Sequence, residues 1–436
     1  MVNSLTVTDL KASGKGISAT FTCEGQLRKF FTGNRFYIRY SESVEGIPDA
    51  ILIIPFLATV CPVAWANQAD IYLDTIDETF LISLEAVKST LNEYYPTMNF
   101  QGKIHAKNIV KTTIKPNSGT MMLFTGGIDS IATYVRHQTK HPILISLRGG
   151  FVQDTKEEWT NALKLLNDFS KQTQSSLITV EGNYPNILDK FMLQSYRPKI
   201  LGNWCRRVMH GLFLLGLCAP MTYSKGCAKL YIASSVDPKL KVPWGSVPEI
   251  DNKIKWASTT VEHDSFEVTR QDKIDLISDY MKTVNYDLQI RSCTYVKAKN
   301  CSQCEKCSRT ILGLELAGID PSEHGFEITP STFDNIKRNM LNGNWDIIGL
   351  KERMWQDIKS YPLQYEIPHP QAKELIEWLQ KTSLADLKPN SSKTSIKIKL
   401  LVWRIISPFL KYIPYSIYKP LRKTPIVRNL LFSPLM

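Results

Sequence analysis

The chain has 436 residues, 43% hydrophobic and 22% charged, with a net charge of +12. That length suffices for two or three domains with a full core in at least one, and the balance excludes disorder as the default state. Ten cations and no acidic residue follow Asp386, so the body carries only +2 and the basicity belongs to a tail.

The opening Met1-Val2-Asn3-Ser4-Leu5 lacks the basic start and apolar run of a signal peptide. Residues 1–115 read as a small mixed α+β domain. Alternating polarity predicts strands at Leu5–Val7, Phe36–Tyr40 and Ile71–Asp74, and Leu81, Leu84, Val87 and Leu91 predict a helix over Phe80–Tyr95. The longest apolar stretch, Ile47–Ala66, holds Pro48, Asp49, Pro55 and Pro62, so it reads as buried helix and loop rather than a membrane span. The turn-rich segment 115–119 marks a boundary. Residues 116–318 then alternate apolar strands (Thr120–Phe124, Pro142–Leu147, Ser176–Val180, Lys229–Ala233) with helices (Asp129–Gln138, Lys156–Lys171, Val208–Leu217). Continuous apolar strands separated by helices predict an α/β fold with a doubly wound parallel sheet covered on both faces. Residues 319–386 read as a helical extension and 387–436 as a basic, aromatic tail.

The first strand and helix of that block meet at Leu123-Phe124-Thr125-Gly126-Gly127-Ile128-Asp129-Ser130. Two glycines let main-chain N–H groups approach a ligand closely. Those groups sit at a helix N-terminus, where aligned dipoles favour an anion. Thr125 and Ser130 add hydroxyls, and Asp129 is placed to cap the helix or to hold a Mg²⁺ that bridges phosphates. No lysine follows the glycines, so this is not a Walker A loop, nor is it GxGxxG. A phosphate-bearing ligand is what such a turn suits.

Cys293-x7-Cys301-x2-Cys304-x2-Cys307 is the second signal. Four thiolates at this spacing can close a tetrahedron around Zn²⁺; an iron–sulfur cluster is the alternative. Lys297, Lys299, Lys306 and Arg309 would offset the charge of a tetrathiolate, and the apolar helical run Ile311, Leu312, Leu314, Leu316 follows, which suits a closed structural site. Nine cysteines, an odd number with four clustered, fit a reducing cytoplasm better than a disulfide framework. Cys205, Cys218 and Cys227 read as buried small hydrophobes.

The TGGIDS segment resembles the SGGxDS signature of the PP-loop ATP pyrophosphatases, with Thr125 where Ser is usual. The resemblance implies an adenine-nucleotide α-hydrolase-like (HUP-type) sheet, ATP held on the loop, an adenylated intermediate and release of pyrophosphate. With the cysteine quartet downstream, the chain looks like the 7-cyano-7-deazaguanine synthases, which carry a very similar zinc quartet. Those enzymes adenylate a carboxylate on a 7-deazaguanine base and convert it, with ammonia, to an amide and then a nitrile. The similarity spans roughly Thr120 to Gly318. The flanks 1–115 and 320–436 have no counterpart in that compact enzyme, which implies a divergent branch with a different substrate.

Polar residues near the predicted strand ends complete the candidate site. Ser146 and Leu147 offer backbone to adenine. Arg206, Arg270 and Lys273 would neutralise phosphate or a substrate carboxylate near a pentavalent transition state, and the last two, three apart, share a helix face. His210, Ser234, Asp237, Glu249 and Asp251 are candidates on the substrate side, each equally readable as a cap, an ion pair or a satisfied histidine. The resulting expectation is a C–N bond-forming ligase acting on a small-molecule carboxylate. No cysteine follows Met1, as a fused N-terminal-nucleophile glutaminase would require, so ammonia would come from solution or a partner protein. A tRNA-thiolating PP-loop enzyme and a non-catalytic nucleotide-binding module are the alternatives, and nucleic acid stays open as a partner. In the tail, Trp403, Phe409, Tyr412, Tyr415, Tyr418 and Phe432 interleave with cations and prolines. Such a segment lies on an anionic membrane surface, docks on an acidic partner or packs on its own body. The expected location is the cytoplasm, peripheral to the membrane in the first case.

Overall fold

Eleven strands form one sheet, and their order fixes where ligands can sit. The computed structural model describes residues 3–114, 117–149, 155–239, 243–284, 286–293, 299–345 and 347–387, and beyond them only Ile405, Ile413 and Ile417. The strands are β1 (Ser4–Ser13), β2 (Gly16–Glu24), β3 (Arg35–Tyr40), β4 (Asp70–Asp77), β5 (Ile104–Val110), β6 (Asn117–Leu123), β7 (Ile143–Leu147), β8 (Leu177–Gly182), β9 (Cys227–Ala233), β10 (Lys255–Trp256) and β11 (Thr259–Asp264). Across the sheet they run β10-β11-β9-β6-β7-β8-β3-β2-β1-β4-β5. The helices used below are α1 (Ile54–Ala66), α2 (Glu78–Tyr94), α3 (Ile128–His137), α4 (Lys156–Gln172), α5 (His210–Gly216), α6 (Arg270–Met281) and α7 (Glu305–Leu316), followed by α8 (Thr332–Leu341), α9 (Leu350–Ser360) and α10 (Pro370–Lys381).

The strands β8-β7-β6-β9-β11 are all parallel. Numbered in chain order within this block they run 3-2-1-4-5, a doubly wound order that reverses direction between β6 and β9. Their side chains alternate between two cores, as a sheet covered on both faces requires: Met121 and Ile145 join one, Met122, Phe124 and Leu144 the other. The first core holds α1, α2 and α5; the second holds α3, α4, α6, α7 and the helical extension. Helix α1 is apolar all round and buried from Ile54 to Trp65, as a central helix must be. It approaches α5 so closely that a Cβ on Gly216 would lie 2.2 Å from that of Ala58.

The amino-terminal region, expected to stand apart as its own small domain, contributes β1 to β5 to the same sheet. Strand β3 alternates buried Phe36, Ile38 and Tyr40 with exposed Arg35, Tyr37 and Arg39, and pairs antiparallel with β8, Tyr40 opposite Val180. The helix expected over Val208–Leu217 begins with a π-helical turn, Cys205–Met209, before α5. Among the described residues no helix is long and apolar enough to cross a membrane. The tail beyond Leu387 falls outside the described residues, the three isoleucines apart.

Candidate functional site

Strand β6 delivers the glycine turn to the carboxyl edge of the sheet at the reversal of strand order, where doubly wound folds bind ligands. Phe124 is buried and its N–H donates to the Ile145 carbonyl at 2.9 Å, anchoring the turn on β7. Gly126 sits at φ +70°, in the left-handed region that favours glycine. Gly127 has an ordinary φ of −95° and is the N-cap of α3. Its constraint is space, because a Cβ there would lie 3.2 Å from the Arg291 carbonyl oxygen. The Arg291 N–H in turn donates to the Gly126 carbonyl at 2.7 Å, so the segment before Cys293 clamps the turn.

Two side chains of the turn have partners within the protein. The Ser130 hydroxyl donates to the Gly127 carbonyl at 3.0 Å and accepts from the Thr125 N–H at 3.3 Å, stapling the turn. Asp129 does not cap α3, whose N-cap has no side-chain bond. Its carboxylate meets cations instead. Arg270 Nη1 lies 3.3 Å from both Asp129 oxygens, and Lys273 Nζ lies 3.6 Å from one of them. Thr269 and Asp272 form a capping box that fixes the start of α6 and so the aim of both cations. Lys273 is buried and also donates to the Ser234 carbonyl, just past β9, at 2.6 Å. It therefore spans the crevice between the β6 turn and the end of β9.

The electrostatics favour an added anion. Burial would raise the pKa of Asp129, but Arg270, Lys273 and Lys306 outweigh it and hold the carboxyl below its usual 3.8. Burial first, and then the charge of Arg270, pull Lys306 down to about 8. Arg270 spends Nη2 on Thr310 Oγ1 of α7, while its Nε–H has no acceptor among the described residues. One carboxylate thus faces three cations at a helix N-terminus, whose first-turn N–H groups add to the positive field. That carboxylate is already shared by two of them.

The four cysteine sulfurs lie within 4.8 Å of one another. Cys293 and Cys304 are 3.9 Å apart, and Cys301 and Cys307 3.8 Å. A tetrahedron with Zn–S bonds of about 2.3 Å has edges of about 3.8 Å, so the cluster is compatible with a structural zinc site. The spacing suits one ion better than a cluster that spreads its thiolates over several irons. Backbone N–H groups of Cys304 and Cys307 donate to the sulfurs of Cys301 and Cys304, which favours thiolate. Asn300 organises the knuckle: its carbonyl oxygen accepts from the N–H groups of Ser292 and Cys293, and its amide donates to the Ile290 and Gly325 carbonyls. Cys293 is two residues from the clamp at Arg291, and α7 carries Thr310 to Arg270, so cysteine cluster and glycine turn are one connected structure. Lys306 faces the turn, Arg309 is spent on Glu305 at 2.5 Å, and Lys297 lies outside the described residues.

The remaining candidates scatter. Ser146 is buried within β7, and Leu147 reaches its carboxyl end. Asp237 is engaged from the helical extension by Arg353 at 3.8 Å. Arg206, His210 and Asp251 form a second group. Asp251 is fully buried, its Oδ2 accepting from the Ser246 hydroxyl at 2.6 Å and lying 2.7 Å from His263 Nδ1. Burial, with Arg206 and His263 adding to it, brings His210 down to about 4 and keeps it neutral near pH 7. Glu249 is exposed. Sequence reasoning missed the clamp at Arg291, Thr310 and Asn300. Only Asn300, adjacent to Cys301, left a signal there.

No family model, curated protein sequence or solved structure matches the chain.

Proposed function

We propose that the chain binds Mg-ATP on the Thr125–Ser130 turn and adenylates a small-molecule carboxylate, as the PP-loop pyrophosphatases that it resembles do. The observation that carries this reading is the convergence of Arg270 and Lys273 on the N-terminus of α3, across the reversal of strand order. The 3-2-1-4-5 order supports a HUP-type sheet. A carboxylate oxygen of the substrate attacks the α-phosphorus. The α–β bridging bond breaks and pyrophosphate leaves with the electron pair. Ammonia, from solution or a partner protein, or an amine then attacks the acyl carbon, loses a proton and expels AMP. Arg270 and Lys273 neutralise charge that grows on the phosphates, where preorganised cations are most effective. Cys293, Cys301, Cys304 and Cys307 would hold a Zn²⁺ whose role would be structural, steadying the Arg291 clamp on the turn.

The thiolation alternative draws little support. Cys227 opens β9, at the edge of the sheet opposite the glycine turn, and burial pushes the thiols of Cys205 and Cys227 up to about 11. The test is incubation with α-labelled ATP and candidate acids. The expected products are AMP and pyrophosphate. Release of ADP sinks the adenylation scheme, and tight binding without turnover favours a nucleotide-binding module.

A further inference from the structure

A cleft of about 730 Å³ opens where β3 meets β8. It follows from the sheet's composition. Tyr37 and Arg39 alternate with buried Ile38 and Tyr40, so they rise from one face, and β8 presents Thr179 and Glu181 beside them. Helix α4 covers that face of β8, with Trp159 Nε1 donating to Glu181 at 3.0 Å. Over β3 the face is open, and the Tyr37 side chain is 49% exposed. The cleft is the step at which the helical layer ends.

Its charge is unbalanced. Lys15, Arg39 and Arg148 line it against the single carboxylate of Glu181. Arg148 pairs with Glu181 at 2.8 Å, and Lys15 donates to the Ser41 carbonyl. The Arg39 side chain makes no ion pair or hydrogen bond among the described residues. A planar guanidinium with its donors unspent suits a phosphate, and a half-exposed tyrosine ring beside it suits a flat heterocycle. The size is that of a small-molecule site.

We propose that this cleft binds a nucleoside phosphate, the phosphate on Arg39 and Lys15 and the base against Tyr37. Its lining shares no residue with the glycine turn and includes neither Arg270 nor Lys273. The proposal therefore does not depend on the adenylation reading. The ligand has two sources, a free nucleotide or the 5′-phosphorylated end of a single strand. The open face continues from the cleft to Tyr72, whose ring stacks on His105 at 4.7 Å, so it offers further bases a platform.

The test is calorimetric titration of the full chain with AMP, inorganic phosphate and a 5′-phosphorylated hexathymidylate. Parent protein is compared with Arg39→Glu, Tyr37→Ala, Tyr37→Phe and Gly127→Val, and with Arg270→Gln where the valine variant does not fold. AMP should bind the Gly127→Val or Arg270→Gln protein much as it binds the parent. Arg39→Glu should weaken AMP and phosphate tenfold or more. Tyr37→Ala should weaken AMP several-fold but not phosphate, and Tyr37→Phe should restore it. An oligonucleotide binding tenfold tighter than AMP, with the gain lost in Tyr72→Ala, assigns the strand end; equal affinities assign the free nucleotide. Absence of AMP binding to the parent overturns the proposal. So does AMP binding that the glycine-turn variants abolish and Arg39→Glu leaves intact.

Discussion

Helix α3 has a carboxylate at each end, and the two are treated in opposite ways. At its start Asp129 is a quarter exposed and faces a surplus of cations, one of which keeps a donor unspent. At its end Asp264 is buried and saturated. Thr133 and Ser265 donate to one oxygen at 2.7 and 2.6 Å, while His137 and Arg136 approach the other at 3.0 and 3.3 Å. Although His137, Glu262 and Asp264 gather closely enough to hold a metal, Lys229 neutralises Glu262, and both Asp264 oxygens are engaged by described residues. The contrast separates a candidate binding site from a structural knot. What marks the candidate is not a perturbed carboxylate, since both are perturbed, but an unspent cationic donor beside a partly exposed carboxylate.

The sharpest way to break that contrast is Arg270→Gln. It should cut AMP release by roughly 10²- to 10³-fold, as loss of one preorganised donor does, measured with α-labelled ATP. An unchanged rate would remove Arg270 from the machinery. Next, the wild-type chain should hold about one zinc by elemental analysis, and Cys301→Ser should lose it. Because the cysteine knuckle holds the Arg291 clamp, ATP affinity should then fall about tenfold, the lower end of what lost support around a site costs. Unaltered ATP affinity after zinc loss would uncouple the two sites. At the saturated end, Asp264→Asn should lower unfolding free energy by roughly 2 kcal/mol and leave AMP release within twofold. Burial would raise the Asp264 pKa, but bonds from His137, Ser265 and Thr133 and the charge of Arg136 hold it at about 2, below the usual 3.8. Its stabilisation is therefore full above pH 3.8 and lost as pH falls through about 2, and acid titration of the asparagine variant should lack that component. The smallest expected effect is that of Cys205→Ser, which should leave turnover within twofold. Abolished activity there would revive thiolation.

Much of this was legible from local pattern. The strand–turn–helix of the glycine turn, the alternation that builds the parallel block, and the i, i+3 pairing of Arg270 with Lys273 all reside in short windows of sequence. The cysteine quartet was legible because a metal needs a fixed number of ligands at short spacing. Partnerships between distant segments were not. Tyr40 and Val180 are 140 positions apart, and nothing local to either announces that β3 closes onto β8. The bond from Ser130 back to Gly127 was not read either, because the same spacing serves a staple as well as a ligand contact. Lys306 reads from sequence as a counter-charge for thiolates. Only the packing of α7 reveals that it faces Asp129.

The seam between β3 and β8 has one more implication. A fragment beginning at Asn117 would leave β8 as a bare edge, ready to pair with a second copy, and would strip the α1 layer from α5. Cutting the chain at the junction that sequence marks so clearly should give sticky oligomers, not a self-standing domain. Biochemists wishing to isolate the glycine turn should edit side chains and leave the ribbon whole.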